Sequence, residues 1–277
     1  MHTLFGLSVR SDVPLLFSDL PEIDPVDVVI QRAPKDVFTS PEPHIKNLKL
    51  DILEVAEFQI QAGRQIEYIP CAGVTDDMLR VCLLGWCMGA VLQQRGLIVL
   101  HGNAVSFDNQ TADIYVGDKG AGKSTMAAWC YQQGASIISD DVCAIYFNAA
   151  GLPVVLPSYP QFRLWQNSLD LLGMSHQNLR RVRAGLDKFI VPVETSRFMS
   201  HACVIKKISL IDSQIKSQVP LLGSEKLLML QAQTYRYYFL PRMQMEHAYI
   251  KQLMCLSSKL ACIKMPRINC KEACFEQ

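Results

Sequence analysis

Residues 116–125 read Val-Gly-Asp-Lys-Gly-Ala-Gly-Lys-Ser-Thr and satisfy the pattern Gly-x-x-x-x-Gly-Lys-[Ser/Thr] in full. They follow an apolar run, Ala112–Val116, that suits a strand, and they precede a run that suits a helix to about Gln133. In such a loop, glycines let the main chain curl so that several N–H groups face phosphate oxygens. The pattern assigns Gly117, Asp118, Lys119, Gly120, Ala121, Gly122, Lys123, Ser124 and Thr125 to nucleotide binding. Lys123 would reach the β- and γ-phosphates, Ser124 would offer its hydroxyl to Mg²⁺, and the helix that follows would direct its positive end at the anion.

The next apolar piece, Ala135–Ser139, ends in Asp140 and Asp141. Phosphoryl transfer needs one carboxylate in the Mg²⁺ shell and another to orient or deprotonate the attacking hydroxyl. A pair at the first strand end after the loop could supply both, whereas the plainer reading is a solvated Asp-Asp turn. His101, at the end of Leu97–Leu100, is either a polar strand cap or part of the site. Arg163 and Arg197 could neutralise phosphate charge with their donor forks, and Lys188 begins a Lys-x-x-x-Pro stretch. The plainer reading of each of the three is a surface ion pair. Arg180-Arg181-Val182-Arg183 reads as a solvated helix face, or as a groove for an acidic peptide or nucleotide phosphates. No Asn-Lys-x-Asp for guanine and no Leu-Ser-Gly-Gly-Gln of a transporter ATPase follows the loop, which leaves a kinase or a small ATPase.

The elements that must position these groups begin with a small β-rich region. Leu4–Val9, Val26–Gln31 and Val55–Gln61 read as strands, and Ala62-Gly63-Arg64 turns the last into Gln65–Ile69 as a hairpin. Arg32–His44, with three prolines, reads as an irregular connection. Thr75-Asp76-Asp77 should open a helix that runs to about Gln94, apolar almost all round and therefore buried. Leu97–Leu100, Ala104–Phe107 and Ala112–Val116 read as three short strands with turns at residues 101–103 and 108–109. A helix is expected at Asn167–Leu172, and Tyr235–Phe239 reads as core or as a peptide-binding surface. The whole suggests an α/β fold: a P-loop kinase-type sheet with flanking helices over residues 96–277, preceded by the β-rich region and connecting helix over 1–95.

Composition narrows the partners. Among 277 residues, 27 Lys and Arg balance 26 Asp and Glu, for a formal charge of +1. That excludes a generic polyanion binder, so no nucleic acid is expected. The most apolar stretch, Val81–Leu92, is well short of the roughly 20 residues that span a bilayer, and the N-terminus carries no leader pattern. The expectation is a cytoplasmic protein with no membrane partner. Its ten cysteines form no Cys-x-x-Cys pair and read as buried thiols; Cys270 and Cys274 are the closest candidates for a disulfide or metal.

Leu100-His101-Gly102, Gly117 to Ser124 and Ser139-Asp140-Asp141-Val142, in that order and spacing, resemble the HPr serine kinase/phosphorylase family. The chain is still more similar to the standalone HPr-kinase-like proteins, which include lasso-peptide tailoring kinases that phosphorylate a precursor peptide at its C-terminal serine. Residues 5–15 and Tyr159–Trp165 are similar to segments of that second group. The resemblance implies an ATP- and Mg²⁺-dependent serine kinase in which Lys123 and Ser124 handle phosphates and metal. It further implies that Asp140 is the base, that Asp141 supports metal or nucleotide, and that His101 lies near the transferred phosphate. Two departures stand out: Thr125 replaces the acid usual after the loop serine, and no Leu-Glu-Val-Arg-Gly signature of the reverse phosphorylase reaction occurs. Alternatives are a kinase acting on a folded HPr-like carrier or a small molecule, and a nucleotide-binding regulatory module without transfer. Whether the chain forms a homo-oligomer is left open.

Overall fold

A computed structural model describes residues 1–16, 25–34, 38 and 46–268. Most of the expected connection over 32–44, and both Cys270 and Cys274, lie outside the described residues. The chain is a mixed α/β protein of two compact units, Met1–Val99 with Tyr235–Gln252 and Leu100–Thr234 with Leu253–Gln277. No helix among the described residues is long and apolar enough to cross a membrane.

The first unit holds β1 (His2–Leu4), β2 (Leu7–Ser11), β3 (Val28–Arg32), β4 (Asn47–Ile52), β5 (Ala56–Gln61) and β6 (Gln65–Pro70), in the sheet order β1-β2-β3-β6-β5-β4. The strand expected over Leu4–Val9 is a hairpin instead. Phe5 and Gly6 both have positive φ, 54° and 71°, the geometry of a tight turn whose twist matches its flanking strands. β4 alternates as a half-buried strand does, with Leu48 and Leu50 buried and Lys49 and Asp51 more exposed. The connecting helix runs as α1 (Asp76–Cys82), a π-helical turn (Leu83–Cys87) and α2 (Met88–Gln94), and opens with Thr75 Oγ1 accepting from the Met78 N–H. Gly85 and Gly89 lie against the Tyr235 ring, where a methyl at Gly89 would meet ring carbons at 2.8 Å. Tyr235 and Phe239 are therefore core, while Tyr238 is exposed.

The chain continues through β7 (Ile98–Ser106), β8 (Thr111–Val116), α3 (Lys123–Gln132), β9 (Ser136–Ser139), β10 (Val142–Phe147) and β11 (Pro153–Val155). It then forms β12 (Gln161–Trp165), α4 (Gln166–Leu171), β13 (Arg180–Arg181), β14 (Lys188–Pro192), β15 (Cys203–Ile211), β16 (Val219–Pro220) and α5 (Ser224–Ala232). Last come α6 (Phe239–Arg242), in the first unit, α7 (Glu246–Lys259) and β17 (Ala261–Met265). The main sheet has the order β11-β10-β7-β8-β15-β17-β16, with β9 paired to β7. β8 runs antiparallel to β7 and parallel to β15. A second sheet, β12-β14-β13, stands apart from it. Its Phe162, Leu164, Phe189 and Val191 pack with Met126, Ala127 and Cys130 of α3 in one buried cluster.

One expected turn is absent. His101-Gly102-Asn103 lies inside β7, where Gly102 and Asn103 pair with β8 and Ala104–Ser106 pair with β9, because Gly102 lets β8 approach where a side chain could not fit. A Cβ at Gly102 would lie 2.7 Å from the Tyr115 carbonyl oxygen and 3.0 Å from Val116. The neighbour in the first contact is backbone, so little can yield. Gly102→Ala should therefore destabilise the protein by about 1–3 kcal/mol, the range for overpacking, read as a lower urea midpoint; a wild-type midpoint would show that β7 is not held this tightly.

Candidate functional site

Strand register builds the site. Pairing of Gly102 with Val116 sets His101 beside the first loop glycine, Gly117. Pairing of Ala104 with Ser139 sets Asn103 beside Asp140. Adjacent strands lie about 4.8 Å apart, so the loop and the acid pair are separated by two spacings, roughly 10 Å.

The segment between β8 and α3 is a tight loop, with Gly117, Gly120 and Gly122 at φ of 152°, 89° and 103°. Lys123 is buried, and its Nζ donates to the carbonyl oxygens of Gly117, at 2.6 Å, and Asp118, at 3.1 Å. Burial lowers its pKa, against the raising influence of Asp141, Asp118 and Asp140, which places its ammonium in the field of both site acids. Asp118, Lys119 and Gly120 are exposed, and Ser124 is half-buried. Thr125 turns elsewhere: it is buried and its hydroxyl donates to Ser168 Oγ at 2.9 Å, tying α3 to α4. Gln233 clamps the loop from behind. Its Oε1 accepts the Gly117 N–H at 3.0 Å, its Nε2 lies 3.5 Å from Asp118 Oδ1, and its carbonyl accepts the His101 N–H at 2.8 Å.

β9 ends at Ser139, so the two acids form a turn into β10, and Asp141 adopts φ 72°. Asp140 is buried, with 1% exposure. Its Oδ1 accepts from Asn103 Nδ2 and its Oδ2 from the Arg163 backbone N–H at 3.0 Å. Asp141 is partly open; its Oδ2 takes the Arg163 guanidinium at 2.7 Å and its Oδ1 lies 3.4 Å from His101 Nδ1. The two carboxyls titrate in opposite directions. Burial raises the Asp140 pKa, with Asp141 adding to the rise and Arg163 opposing it. For Asp141 burial also pushes upward, but Arg163, His101, Lys188 and Lys123 together outweigh it and bring the value down to about 2. His101 is lowered from 6.5, chiefly by burial, so its ring is neutral near pH 7. Its Nδ1 lies 3.1 Å from the Asp141 carbonyl oxygen, which selects the tautomer that donates from Nδ1.

The structure thus brings Lys123, His101, Asp140, Asp141 and Arg163 together, with Lys188 beside them. Lys188 pairs with Trp165 across β14 and β12, and its lowered pKa, set by burial first, also responds to Arg163, Asp140, Asp141 and Lys119. Arg197 is elsewhere. Its guanidinium donates to the carbonyls of Tyr131 and Ala135 and stacks 3.8 Å from the Tyr131 ring centroid. It caps the C-terminal end of α3, about 15 Å from the loop end of a ten-residue helix. Asn103 and Gln233 escaped the sequence reading. Asn103 lay in the supposed turn; a continuous β7 would have put it on the same face as His101. Nothing local in the sequence marks Gln233.

Among the described residues no group of three or more His, Cys, Asp or Glu could hold a metal ion. Mg²⁺ needs less, since it takes one or two protein ligands together with substrate phosphates and waters. An Asp141 held ionised and the Ser124 hydroxyl fit that requirement.

No family model matches the chain, and no curated protein matches it. Among solved structures it is similar to the HPr(Ser) kinase/phosphatase from Coxiella burnetii, with a TM-score of 0.32 and 10% identity, over 64% of this chain and 91% of that one.

Two tests follow from the geometry. The Asp141 carboxyl titrates near 3.8 when unfolded and about 2 when folded, so its contribution is whole above about pH 4 and disappears as pH falls through about 2. Asn tolerates positive φ, so Asp141→Asn isolates the charge; it should lower stability at pH 7 by about 2 kcal/mol. That deficit should shrink as urea titrations move from pH 4 toward pH 2. Arg197→Ala should cost about 1–2 kcal/mol of stability through the lost carbonyl bonds and stacking, with nucleotide affinity unchanged in a fluorescent-ATP titration.

Proposed function

We propose that the second unit is an ATP-dependent kinase of the HPr-kinase-like type, which transfers the γ-phosphate to a serine hydroxyl of a peptide or protein. The supporting observation is a pair of adjacent carboxyls in unlike surroundings, Asp140 buried and Asp141 partly open on the Arg163 guanidinium, two strand spacings from a glycine loop that carries Lys123. Two titratable groups whose environments drive their pKa values apart divide the roles of proton acceptor and fixed anion.

Asp140, with its raised affinity, accepts the proton of the acceptor hydroxyl as that oxygen attacks the γ-phosphorus and ADP departs. Its oxygens now bond Asn103 and the Arg163 amide, so the acceptor hydroxyl takes the place of the Asn103 amide on Oδ1. Asp141 stays ionised and, with Ser124, would hold Mg²⁺, which would supply charge neutralisation for the phosphates. Lys123 moves its ammonium from the loop carbonyls to phosphate oxygens, and Arg163 and Lys188 add positive charge where the transferred group gathers negative charge. Neutral His101 orients Asp141 through Nδ1. A serine at the C-terminus of a precursor peptide, as in lasso-peptide tailoring, rests on the sequence resemblance alone. The burial of Asp140 favours one rival, a nucleotide-binding regulatory module without transfer.

Intact mass spectrometry decides between them. Wild type with Mg-ATP, peptides ending in serine and a folded HPr-like protein should add one phosphate mass to the peptides. Lys123→Ala should abolish this, and Asp140→Asn should abolish it while fluorescent-ATP binding persists. Transfer should also weaken as pH falls below the raised Asp140 pKa, because only the deprotonated carboxylate takes the proton. Phosphate on the folded protein alone would point to a carrier kinase. ATP binding without transfer to any acceptor would leave the regulatory module.

A further inference from the structure

Three strands of the main sheet end together beside the glycine loop. β8, β15 and β17 run parallel, and register sets Val116 beside Leu210 and Ile211 beside Met265. The chain leaving β17 therefore emerges at the edge where the loop begins, and ligands of open α/β sheets bind outside such carboxyl ends. Its path is fixed on both sides. The Met265 carbonyl accepts from the Asp212 N–H at 2.9 Å, and the half-buried Ile268 packs on the apolar cluster of α3.

Between these anchors Arg267 turns back over the loop. A Cβ at Gly122 would lie 3.3, 3.6 and 3.8 Å from its Nε, Cγ and Cδ, so the side chain runs across this glycine. With Met126, Ile211 and Ile268 it lines a small cleft against the first turn of α3. Arg267 is exposed, and among the described residues its guanidinium makes no hydrogen bond or ion pair. Lys123 and Arg163, by contrast, are held by the loop carbonyls and by the acids. The Arg180–Arg183 cluster, one reading of which was a helix face, is instead an edge strand and its approach.

Strand order shows which part of a nucleotide would meet Arg267. Ala104 and Val105 pair with both β8 and β9, so β9 lies on the edge of β7 away from β8. The acid pair is thus on one side of the loop, and β15 and β17 are on the other. A triphosphate seated on the loop with its γ-phosphate toward the acids would direct its nucleoside the opposite way, toward β17. There it finds aliphatic side chains and a planar cation, and a guanidinium stacks well on an aromatic ring. We infer that Arg267 is a specificity-determining residue for the nucleotide, its guanidinium stacked on the base beside Ile211 and Ile268. The inference rests on the kinase reading only in taking the loop as a nucleotide site.

The test compares Mg-ATP with magnesium tripolyphosphate, which offers the loop phosphates without a base, by isothermal titration calorimetry on the full chain at physiological salt. Arg267→Ala should weaken ATP by about tenfold, the value of a partly desolvated cation–π stack. Arg267→Lys keeps the charge and loses the plane, so it should still weaken ATP by about fivefold while tripolyphosphate stays within about twofold of wild type. Wild-type ATP affinity in Arg267→Ala, its recovery in Arg267→Lys, or an equal loss for tripolyphosphate in Arg267→Lys would each overturn the inference. Any of these beside transfer of phosphate to peptide removes the stacking contact and leaves the kinase reading. If the expected losses hold, Lys123→Ala abolishes binding of both ligands and no acceptor gains phosphate, the kinase reading falls and the contact with the base stands.

Discussion

Two adjacent carboxyls at a strand end, one buried to 1% exposure, are expensive unless something positive or hydrogen-bonding holds them. Arg163 is that group. Its backbone amide bonds one carboxyl, its guanidinium bonds the other, and it belongs to a different sheet from the strands that present the acids. The second sheet is thus fixed to the main one at the point where the acids lie, and the bulk of that sheet is held to α3 by the apolar face of the same strand. One strand, β12, serves both attachments because its side chains alternate.

That arrangement also decides how the protons are shared. Arg163 comes closest to Asp141, where it meets the carboxylate at 2.7 Å, while its Nε stays 3.8 Å from Asp140. Asp141 gains from Arg163, His101, Lys188 and Lys123, and remains an anion. Asp140 has the deeper burial and an acid for a neighbour, and is pushed the other way. Two identical side chains thereby acquire different chemistry from their surroundings, a split produced by burial and charge placement rather than by residue type.

The loop that faces them is shaped by similar economy of parts. Lys123 closes onto the carbonyls of its own loop, and Gln233 grips the first glycine, the neighbouring Asp118 and the His101 strand at once. A single buried residue, through its side-chain amide and its backbone carbonyl, so couples the loop, the His101 strand and its own segment. The positions of His101 and Gly117 are consequently not independent, and neither is the distance between loop and acid pair.

Local chemistry was legible from the sequence. A glycine loop between strand and helix, a capped and nearly all-apolar helix after Thr75, and a polar hairpin turn near Gly63 each depend on residues close in the chain. Paired acids at a strand end were visible too. Other features depended on partners brought in from a distance. His101-Gly102-Asn103 looks like a turn until a second strand pairs with it, and Gly102 permits that approach only because it lacks a side chain. Leu4–Val9 reads as continuous because the positive φ of Phe5, beside a glycine that adopts one freely, is not marked by its residue type. Arg163 and Arg197 are the same residue type with comparable surroundings in sequence; only the tertiary structure assigns one to the acids and the other to the end of α3. Residue type and spacing specify which chemistry a chain can perform, but which charges meet is set by strand register and packing, and those are long-range.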